Sequence, residues 1–449
     1  MSSSRLVRFS PGRMILLALF FVIILGTCLL ALPAARRLPI SVIDLLFTAT
    51  SVTCVTGIFT VPLENFTFFG QCILLFLMQI GGLGIITLTL FLFSSFVNLG
   101  LATQLMAGRL LELESWKNIR QLLVFIVITT VSFELLGAFC FFWQFSKNFM
   151  TNRAIFLSLF HAVSFFCNAG ITLFGNSLQM YAHNYMVIIT ATLLMLAGGL
   201  GFITLYELFD HIINLKRKRN HHFSLQSKIV LTGSLLGIII TALLVYLLEY
   251  NHAFSSFGPF GSMITSIFQA VSFRSTGLLT IPVTSLQMAT LLLIMIVSFI
   301  GSAPGSTGSG IRTTTLAVYM GVVKAAVEGH TAINLLYRRI ARDQVNKAIA
   351  IISLSIFWIA LSVFCLLVLE PQFKFIEVLF EVMGAFTNLG LSLGITSSLS
   401  LFGKMLIIFT MIIGRIGSLT LILALRKIAI RKETMPTEKS YPEERIMLS

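Results

Sequence analysis

The sequence predicts an all-α polytopic membrane protein with four pseudo-symmetric helix–pore helix–helix repeats around one ion pathway. Composition is the first observation behind this fold class. The chain has 449 residues, of which 57% are hydrophobic and 11% charged, whereas soluble domains carry about 25% charged residues. The second observation is a set of eight apolar stretches of membrane-spanning length. The third is a short apolar segment, ending in a glycine turn, that recurs four times.

The long apolar stretches set the number of membrane spans. A helix needs about 20 largely apolar residues to cross a hydrocarbon core about 30 Å thick. Each of the four repeats contributes two such stretches, and the sixth stretch contains a glycine-rich break. The eight predicted spans are 14–33, 68–97, 120–143, 184–209, 228–250, 286–322, 347–369 and 403–426.

A shorter apolar segment lies between the two spans of each repeat. Each has only about 12 residues, which is too few to cross the membrane. We therefore expect it to enter the membrane as a helix and to return, a path tolerated only where protein or water surrounds the backbone. The four predicted re-entrant pore helices are 41–53, 154–166, 262–273 and 375–386.

Each pore helix runs into a turn of small residues that ends on one glycine. The turns are 54–57, 167–170, 275–277 and 387–390, and we number them turn 1 to turn 4 in chain order. Successive terminal glycines are 113, 107 and 113 residues apart. Four copies of one hairpin at nearly constant spacing indicate an internal repeat. We expect the copies to form a ring around an axis.

The glycine turns are candidates for binding a dehydrated cation. Such an ion needs several oxygen ligands, and in a membrane a ring of backbone carbonyls can supply them. Glycine adopts the dihedral angles that aim consecutive carbonyls in one direction. The alternative is that the turns are buried helix C-caps of a transporter without a pore. The candidate ion-filter residues are Val55, Thr56, Gly57, Asn168, Ala169, Gly170, Ser275, Thr276, Gly277, Asn388, Leu389 and Gly390.

The sixth span is interrupted by a stretch rich in glycine that also contains Pro304. This composition does not maintain a regular helix, and irregular backbone at membrane depth should line the aqueous path below the turns. A phosphate-binding loop is the competing interpretation, but the Gly-Lys-Ser/Thr ending of such loops is missing. The candidate residues of this loop are Gly301, Ser302, Gly305, Ser306, Thr307, Gly308, Ser309 and Gly310.

Basic residues within the apolar core indicate function or pairing, because a charge at membrane depth is costly. We expect Arg415 to point towards the axis below the turns, as a barrier to cations or as an ion pair with an acid such as Glu381. Arg274 is predicted to anchor the filter by pairing with Asp44 or Glu381. His161 and Gln269 occupy the position of Glu381 in their repeats, where hydrogen-bonding braces are commoner than ligands.

The distribution of basic residues predicts the topology. The net charge is +14, and the connectors between repeats carry most of the positive charge, so both termini are expected in the cytoplasm. The basic run 216–219 is a topology signal, with a lipid or nucleic-acid patch as the alternative. The four repeats are predicted at residues 14–97, 120–210, 228–322 and 347–426, and the third contains the intramembrane loop 301–310. The cytoplasmic segments are predicted to be the N-terminus (1–13), the three connectors (98–119, 211–227 and 323–346) and the tail (427–449).

Taken together, these features resemble the membrane subunits of the Ktr/Trk/HKT superfamily of potassium transporters, and most of all the Ktr-type bacterial subunit. The resemblance extends over residues 10–430. Besides the four glycine turns and the interrupted sixth span, it rests on Phe-Arg-Ser-Thr-Gly at 273–277, Ile-Gly-Gly-Leu-Gly at 80–84, Gly-Gly-Leu-Gly at 198–201 and Ile-Gly-Arg-Ile-Gly at 413–417.

The resemblance implies potassium uptake across the bacterial inner membrane, with the loop 301–310 and Arg415 forming a gate. It also implies a homodimer docked on a cytosolic ring of Rossmann-like subunits that bind ATP or ADP. A glycine in every turn goes with potassium preference in this family, and Gly57 meets that condition. Cys54 and Cys167 depart from the expected hydroxyl or amide residues at the head of a turn.

Other functional classes are less compatible with the sequence. A membrane enzyme would need clustered acid, base or metal-ligating residues in its spans, and the seven histidines are scattered. We therefore expect neither enzymatic activity nor a bound cofactor nor a nucleic-acid partner, with potassium as the transported substrate. A sodium-permeable or ion-coupled carrier of the same fold remains the alternative.

Overall fold

The computed structural model describes residues 11–84, 119–216, 223–330 and 332–417. Within these ranges the regular secondary structure is almost entirely helical, and one antiparallel pair of two-residue strands joins Asn334–Leu335 to Arg338–Arg339. The helices, numbered in chain order, are α1 Pro11–Ala31, α2 Val42–Thr53, α3 Phe68–Leu83, α4 Ile119–Phe145, α5 Thr151–Phe166, α6 Tyr185–Gly199, α7 Phe202–Lys216, α8 Leu225–Glu249, α9 Gly258–Ser272, α10 Met288–Ile300, α11 Thr313–Val327, α12 Arg342–Leu369, α13 Phe375–Thr387 and α14 Leu401–Ile416.

The four repeats appear in the order of these helices. Each has a first span (α1, α4, α8, α12), a short pore helix (α2, α5, α9, α13) and a second span that begins at α3, α6, α10 or α14. A pore helix of 12 to 16 residues is about 18–24 Å long, at 1.5 Å per residue. It is therefore shorter than the hydrocarbon core.

Helix packing closes the repeats into a ring. The second span of each repeat packs against the pore helix of the next repeat, so α3 contacts α5, α6 contacts α9, and α10 contacts α13. The last second span, α14, returns to the first pore helix, α2. One phenylalanine of each pore helix is fully buried in this arrangement, and the four are Phe47, Phe160, Phe268 and Phe380.

Large apolar side chains on the outer face of the spans are exposed. Phe139 is 67% exposed, Leu235 61% and Phe364 66%. Contiguous apolar surface on this scale is incompatible with water and indicates contact with lipid. By length and composition three described helices are each sufficient to cross a membrane, namely α4, α8 and α12, and the pair α6 and α7 makes a fourth if counted as one span. The predicted number of eight spans stays a prediction.

The second span of repeat 2 is bent, which differs from the prediction. We predict a continuous helix over 184–209, but the chain bends by 102° between α6 and α7. Gly201, at the bend, has a φ of +83°, which glycine adopts without steric cost. The other second spans also reach a glycine of positive φ, at Gly84, Gly301 and Gly417. The remainders of the predicted spans 68–97 and 403–426 lie outside the described residues.

The predicted break in the sixth span is present. Helix α10 ends at Ile300 and α11 begins at Thr313. Between them, residues 301–312 form an irregular loop whose buried members include Ser302, Thr307 and Ser309.

Candidate functional site

The four glycine turns share one backbone hydrogen bond. In each, the residue before the terminal glycine donates its N–H to a carbonyl in the last turn of the pore helix. The donor and acceptor pairs are Thr56 to Ser51 at 2.7 Å, Ala169 to Ser164 at 2.8 Å, Thr276 to Ser272 at 2.9 Å and Leu389 to Gly384 at 2.9 Å. The repeat seen in the sequence is therefore a repeat of backbone geometry.

The terminal glycines of the turns form a closed ring. A Cβ built on Gly57 would lie 2.7 Å from the carbonyl oxygen of Ala169 in turn 2. In the same way, a Cβ on the glycine of turn 2 would collide with the carbonyl of turn 3, one on turn 3 with turn 4, and one on turn 4 with turn 1. The colliding pairs are Gly170 with Thr276, Gly277 with Leu389, and Gly390 with Thr56.

This relationship gives two reasons for glycine at the end of each turn. All four glycines have φ between +64° and +89°, a region that is unfavourable for residues with a Cβ. The neighbouring carbonyl also occupies the space that a side chain would fill. Carbonyl oxygens of adjacent turns are thus brought close together around one axis, which is an arrangement suited to binding a cation.

The pore helices end at this ring. Each ends within three residues of the start of its turn. The last helical residues are Thr53 of α2, Phe166 of α5, Ser272 of α9 and Thr387 of α13. Their C-terminal ends carry partial negative charge, so they favour a cation at the centre of the ring.

Polar side chains of the pore helices brace the segments that leave the ring. His161 accepts from the N–H of Leu173 at 3.3 Å through Nε2, and Gln269 donates to Thr280 Oγ1 at 3.1 Å. Glu381, which is fully buried, accepts from Ser392 Oγ at 2.6 Å and Thr396 Oγ1 at 2.5 Å. These side chains face the connecting segments, so they act on the ring only indirectly.

The loop 301–312 lies against the turns and is hydrogen-bonded to them. Asn168 of turn 2 donates from Nδ2 to Thr307 Oγ1 at 2.7 Å, and Asn388 of turn 4 donates to Ser309 Oγ at 3.2 Å. On its other side the loop is bonded to the bend of repeat 2, since the Thr307 N–H donates to Gly198 O at 3.2 Å. From the sequence we expect both asparagines to contribute only their backbone carbonyls, so these side-chain bonds were not predicted. Both asparagines lie two residues before the terminal glycine of their turns, and this shared position could have indicated a shared role.

Arg415 binds the loop rather than an acid. Its Nη1 donates to Thr307 O at 2.7 Å and Ser309 Oγ at 3.0 Å, and its Nη2 donates to Gly81 O of α3. The expected ion pair with Glu381 is wrong, because Glu381 bonds hydroxyls on the segment that follows turn 4. Arg415 therefore connects the loop to the first repeat.

Arg274 also has partners other than those predicted. Its Nη2 donates to Ser234 Oγ at 3.2 Å and Gly301 O at 3.3 Å, so it holds the start of the loop next to turn 3. Of the two predicted acids, Asp44 pairs instead with Lys404 at 2.7 Å. The predicted ion pairs are wrong because they consider only acidic side chains as partners for the two arginines. Carbonyl oxygens at the ends of broken helices lack an intrahelical donor and can accept from arginine instead.

The two cysteines that depart from the family pattern lie in the apolar packing around the turns. Cys54 and Cys167 are fully buried. A Cβ on Gly82 would collide with the side chain of Cys167, which shows how closely α3 packs behind turn 2. Cys54 packs in the apolar cluster that contains Phe47, and Cys167 in the one that contains Phe160, so both thiols act as small apolar groups.

A cavity of about 530 Å³ opens on the other side of the ring. All four terminal glycines line it, together with the segments that leave the turns. Within the described parts of the chain, Glu64 is the one charged residue in its wall. A cation that approached the ring from this side would thus pass a chamber whose wall carries one acidic residue.

Comparisons with known proteins agree on the family. The family of cation transport proteins designated TrkH matches residues 7–434. The Ktr system potassium uptake protein B of Bacillus subtilis (strain 168) is 34% identical over 429 residues, covering 94% of each chain. The potassium/sodium uptake protein NtpJ of Enterococcus hirae is 33% identical over 449 residues, covering 98% of each.

A solved structure gives the same fold. The potassium transporter TrkH from Vibrio parahaemolyticus matches with a TM-score of 0.73 over 96% of this chain and 88% of that chain, at 19% identity. The fold class predicted from the sequence, four helix–pore helix–helix repeats, is thereby confirmed.

Proposed function

This chain belongs to the TrkH family of cation transport proteins, and from that premise we propose that it takes up potassium through the ring of glycine turns. It is a transporter and not an enzyme. The ring acts as a selectivity filter in which backbone carbonyls replace the hydration shell of the ion. The observation that carries this proposal is the closed cycle of glycine and carbonyl contacts through all four turns.

The path of the ion follows from this arrangement. Potassium enters the 530 Å³ cavity, loses water at the four glycine turns and leaves on the side of the loop 301–312. The negative ends of the pore helices favour cations over anions at the ring, where these helices end. Glycine in every turn supports potassium as the preferred ion, as the family resemblance implies.

The loop 301–312 is the gate in this proposal. It connects α10 to α11 and is held by two asparagines of the filter and by Arg415. Transport requires these bonds to break and the loop to move aside. Arg415 stabilises the closed position through its hydrogen bonds, and its charge repels cations from the closed path.

Regulation comes from a second polypeptide. A relative of this chain is named as component B of a Ktr system, which supports a cytosolic ring of subunits that bind ATP or ADP beneath a homodimer. Both termini lie in the cytoplasm of a bacterial cell, and this chain is embedded in the inner membrane. The basic connectors and the tail 427–449 form the contact surface, and much of that surface lies outside the described residues.

Flux measurements test the filter and the gate separately. We expect the purified chain in liposomes to carry potassium and rubidium faster than sodium. Equal flux of the three ions would contradict the filter.

Deletion of 303–309 tests the gate. It should raise potassium flux even without the partner, because it removes the obstruction. A folded deletion variant with unchanged flux would contradict the gate.

Sodium transport is the second candidate function. NtpJ, at 33% identity, is named a potassium/sodium uptake protein. Sodium flux in liposomes equal to or greater than that of potassium, or potassium flux that requires sodium, would favour this alternative.

A further inference from the structure

We infer that Asn168 is a positioning residue that couples the gate to the filter, so that ion selectivity depends on whether the loop is docked. The inference rests on the proposed role of the loop 301–312 as a gate. It adds that the same side chain holds the loop and orders two neighbouring turns of the ring.

The hydrogen bonds of Asn168 use both ends of its amide. Nδ2 donates to Thr307 Oγ1 at 2.7 Å, with Met195 O at 3.3 Å and Phe166 O at 3.4 Å as further acceptors. Oδ1 accepts from Thr276 Oγ1 at 2.7 Å and from Ser275 Oγ at 3.1 Å. An amide offers two donors and one acceptor with two lone pairs. The loop lies at one end of the amide and turn 3 at the other.

The partner on turn 3 is a residue of the ring itself. The carbonyl of Thr276 occupies the space beside Gly170 in the cycle of contacts. The hydroxyl of Thr276 is bound by Asn168. A chain of short contacts therefore runs from the Thr307 hydroxyl through the Asn168 amide to the side chain of a residue whose carbonyl belongs to the ring.

Burial makes this chain sensitive to the position of the loop. Asn168 is 2% exposed and Thr307 0%. When the loop moves away, Nδ2 loses its shortest bond and keeps only the longer ones, to Met195 O at 3.3 Å and Phe166 O at 3.4 Å. The amide then shifts towards these two acceptors, because a buried donor is costly unless it is well bonded, and the shift changes the geometry offered to the two hydroxyls of turn 3.

The fourth turn provides a second connection of the same kind. Asn388 donates to Ser309 Oγ at 3.2 Å and to Cys54 O of turn 1 at 2.9 Å. The loop thus meets turns 2 and 3 through Thr307 and turns 4 and 1 through Ser309. Gly308 lies between these contacts, where a Cβ would reach Ser302 and Ser275.

The substitution Thr307→Val tests the coupling. It keeps the shape of the side chain and removes the hydroxyl, which accepts from Asn168 at 2.7 Å and donates to Phe166 O at 3.0 Å. We expect potassium flux without the partner to rise by at least about fivefold, because losing even one net hydrogen bond shifts the docking equilibrium by about that factor and the variant loses two. We also expect the potassium to sodium permeability ratio to fall by about threefold or more, on the same scale.

Thr313→Val is the matched control. Thr313 is also buried, at 7% exposure, and its hydroxyl makes no hydrogen bond among the described residues. It begins α11, six residues beyond the coupled threonine. Flux and permeability ratio should both stay at wild-type values. Thr307→Ser keeps the hydroxyl and should restore both properties relative to the valine variant.

The two readouts separate this inference from the gate proposal. Raised flux with an unchanged permeability ratio in Thr307→Val would overturn the coupling while leaving the gate intact. Wild-type flux and ratio in a folded Thr307→Val protein would also overturn the coupling. If the valine variant does not fold, Thr307→Ala provides the same two readouts. Failure of the gate itself would appear in the 303–309 deletion as unchanged flux.

Discussion

Arg415 donates to the carbonyl of Thr307, which lies 108 residues earlier in the chain, at 2.7 Å. The bond joins the last span of repeat 4 to the loop that breaks repeat 3. It places a fixed positive charge beside the path below the ring, without an acid among the partners found for it in the described residues. In the proposed function, Arg415 thus both holds the loop and adds positive charge to the ion path.

Substitution of Arg415 should open the path. In Arg415→Ala the loop loses its bonds to the guanidinium, and a hydrogen bond to a charged group contributes about 1.5–3 kcal/mol. We expect basal potassium flux in liposomes, measured without the partner, to rise at least about tenfold. Arg415→Gln separates the two effects, because it removes the charge and keeps a donor. Wild-type flux together with wild-type thermal stability in Arg415→Ala would exclude both roles.

The four filter glycines should differ in their tolerance of a side chain. A Cβ on Gly57 would lie 2.7 Å from its neighbouring carbonyl, and the corresponding contacts at Gly170, Gly277 and Gly390 are closer. We expect Gly57→Ser to keep the fold and to lower the preference for potassium over sodium. Gly277→Ser should lose uptake altogether.

Growth of a potassium-uptake-deficient bacterium at low external potassium checks this order, together with relative permeabilities in liposomes. Protein yield from the same cells separates misfolding from altered selectivity. An unchanged permeability ratio in Gly57→Ser would contradict the filter assignment.

Glu64 should concentrate cations at the mouth of the path. Its carboxylate lies in the wall of the cavity above the ring, and negative charge in a cleft raises the local concentration of cations. In Glu64→Gln we expect half-saturation for potassium to rise about two- to fivefold at low ionic strength. The difference should disappear in high concentrations of an impermeant salt, where charges are screened within a few ångströms.

Glu377→Gln is the control for this change. Glu377 is the third residue of α13, outside the cavity wall, and accepts from the N–H of Lys374 at 2.9 Å, a capping bond that glutamine can also make. Its half-saturation should match wild type. An effect of Glu64→Gln that persists at high ionic strength would argue against electrostatic concentration.

Glu381 should be required for stability of turn 4. The carboxylate accepts two short bonds from Ser392 and Thr396. Glu381→Ala leaves these hydroxyls without their acceptor, at a cost of about 1–3 kcal/mol for each group that stays unsatisfied. We expect a lower midpoint of thermal unfolding in detergent. Glu381→Gln, which keeps one acceptor oxygen, should lie between the alanine variant and wild type, and equal midpoints for all three proteins would be evidence against the brace.

The pore helices were predictable from sequence to within a few residues. The segment predicted at 41–53 is the helix Val42–Thr53, and that at 375–386 is Phe375–Thr387. These limits are local, because an apolar run and the turn that stops it lie next to each other in the chain. The bend between α6 and α7 was missed for the opposite reason. Its glycines resemble those of helix contacts elsewhere, and the loop 301–312, which binds the bend through Gly198 and Gly199, is distant in sequence.

The sequence by itself determined the fourfold repeat, the apolar spans and the need for glycine at the end of each turn. Spacing, composition and the backbone preference of glycine depend only on residues close together in the chain. Only the tertiary structure decided which groups meet. Arg415 binds Thr307 and Arg274 binds Gly301, although acids were the expected partners. The physical reason is that a broken helix leaves backbone carbonyls without partners inside the membrane. Every residue has a backbone carbonyl, so the residue types do not indicate which of these acceptors an arginine will bind.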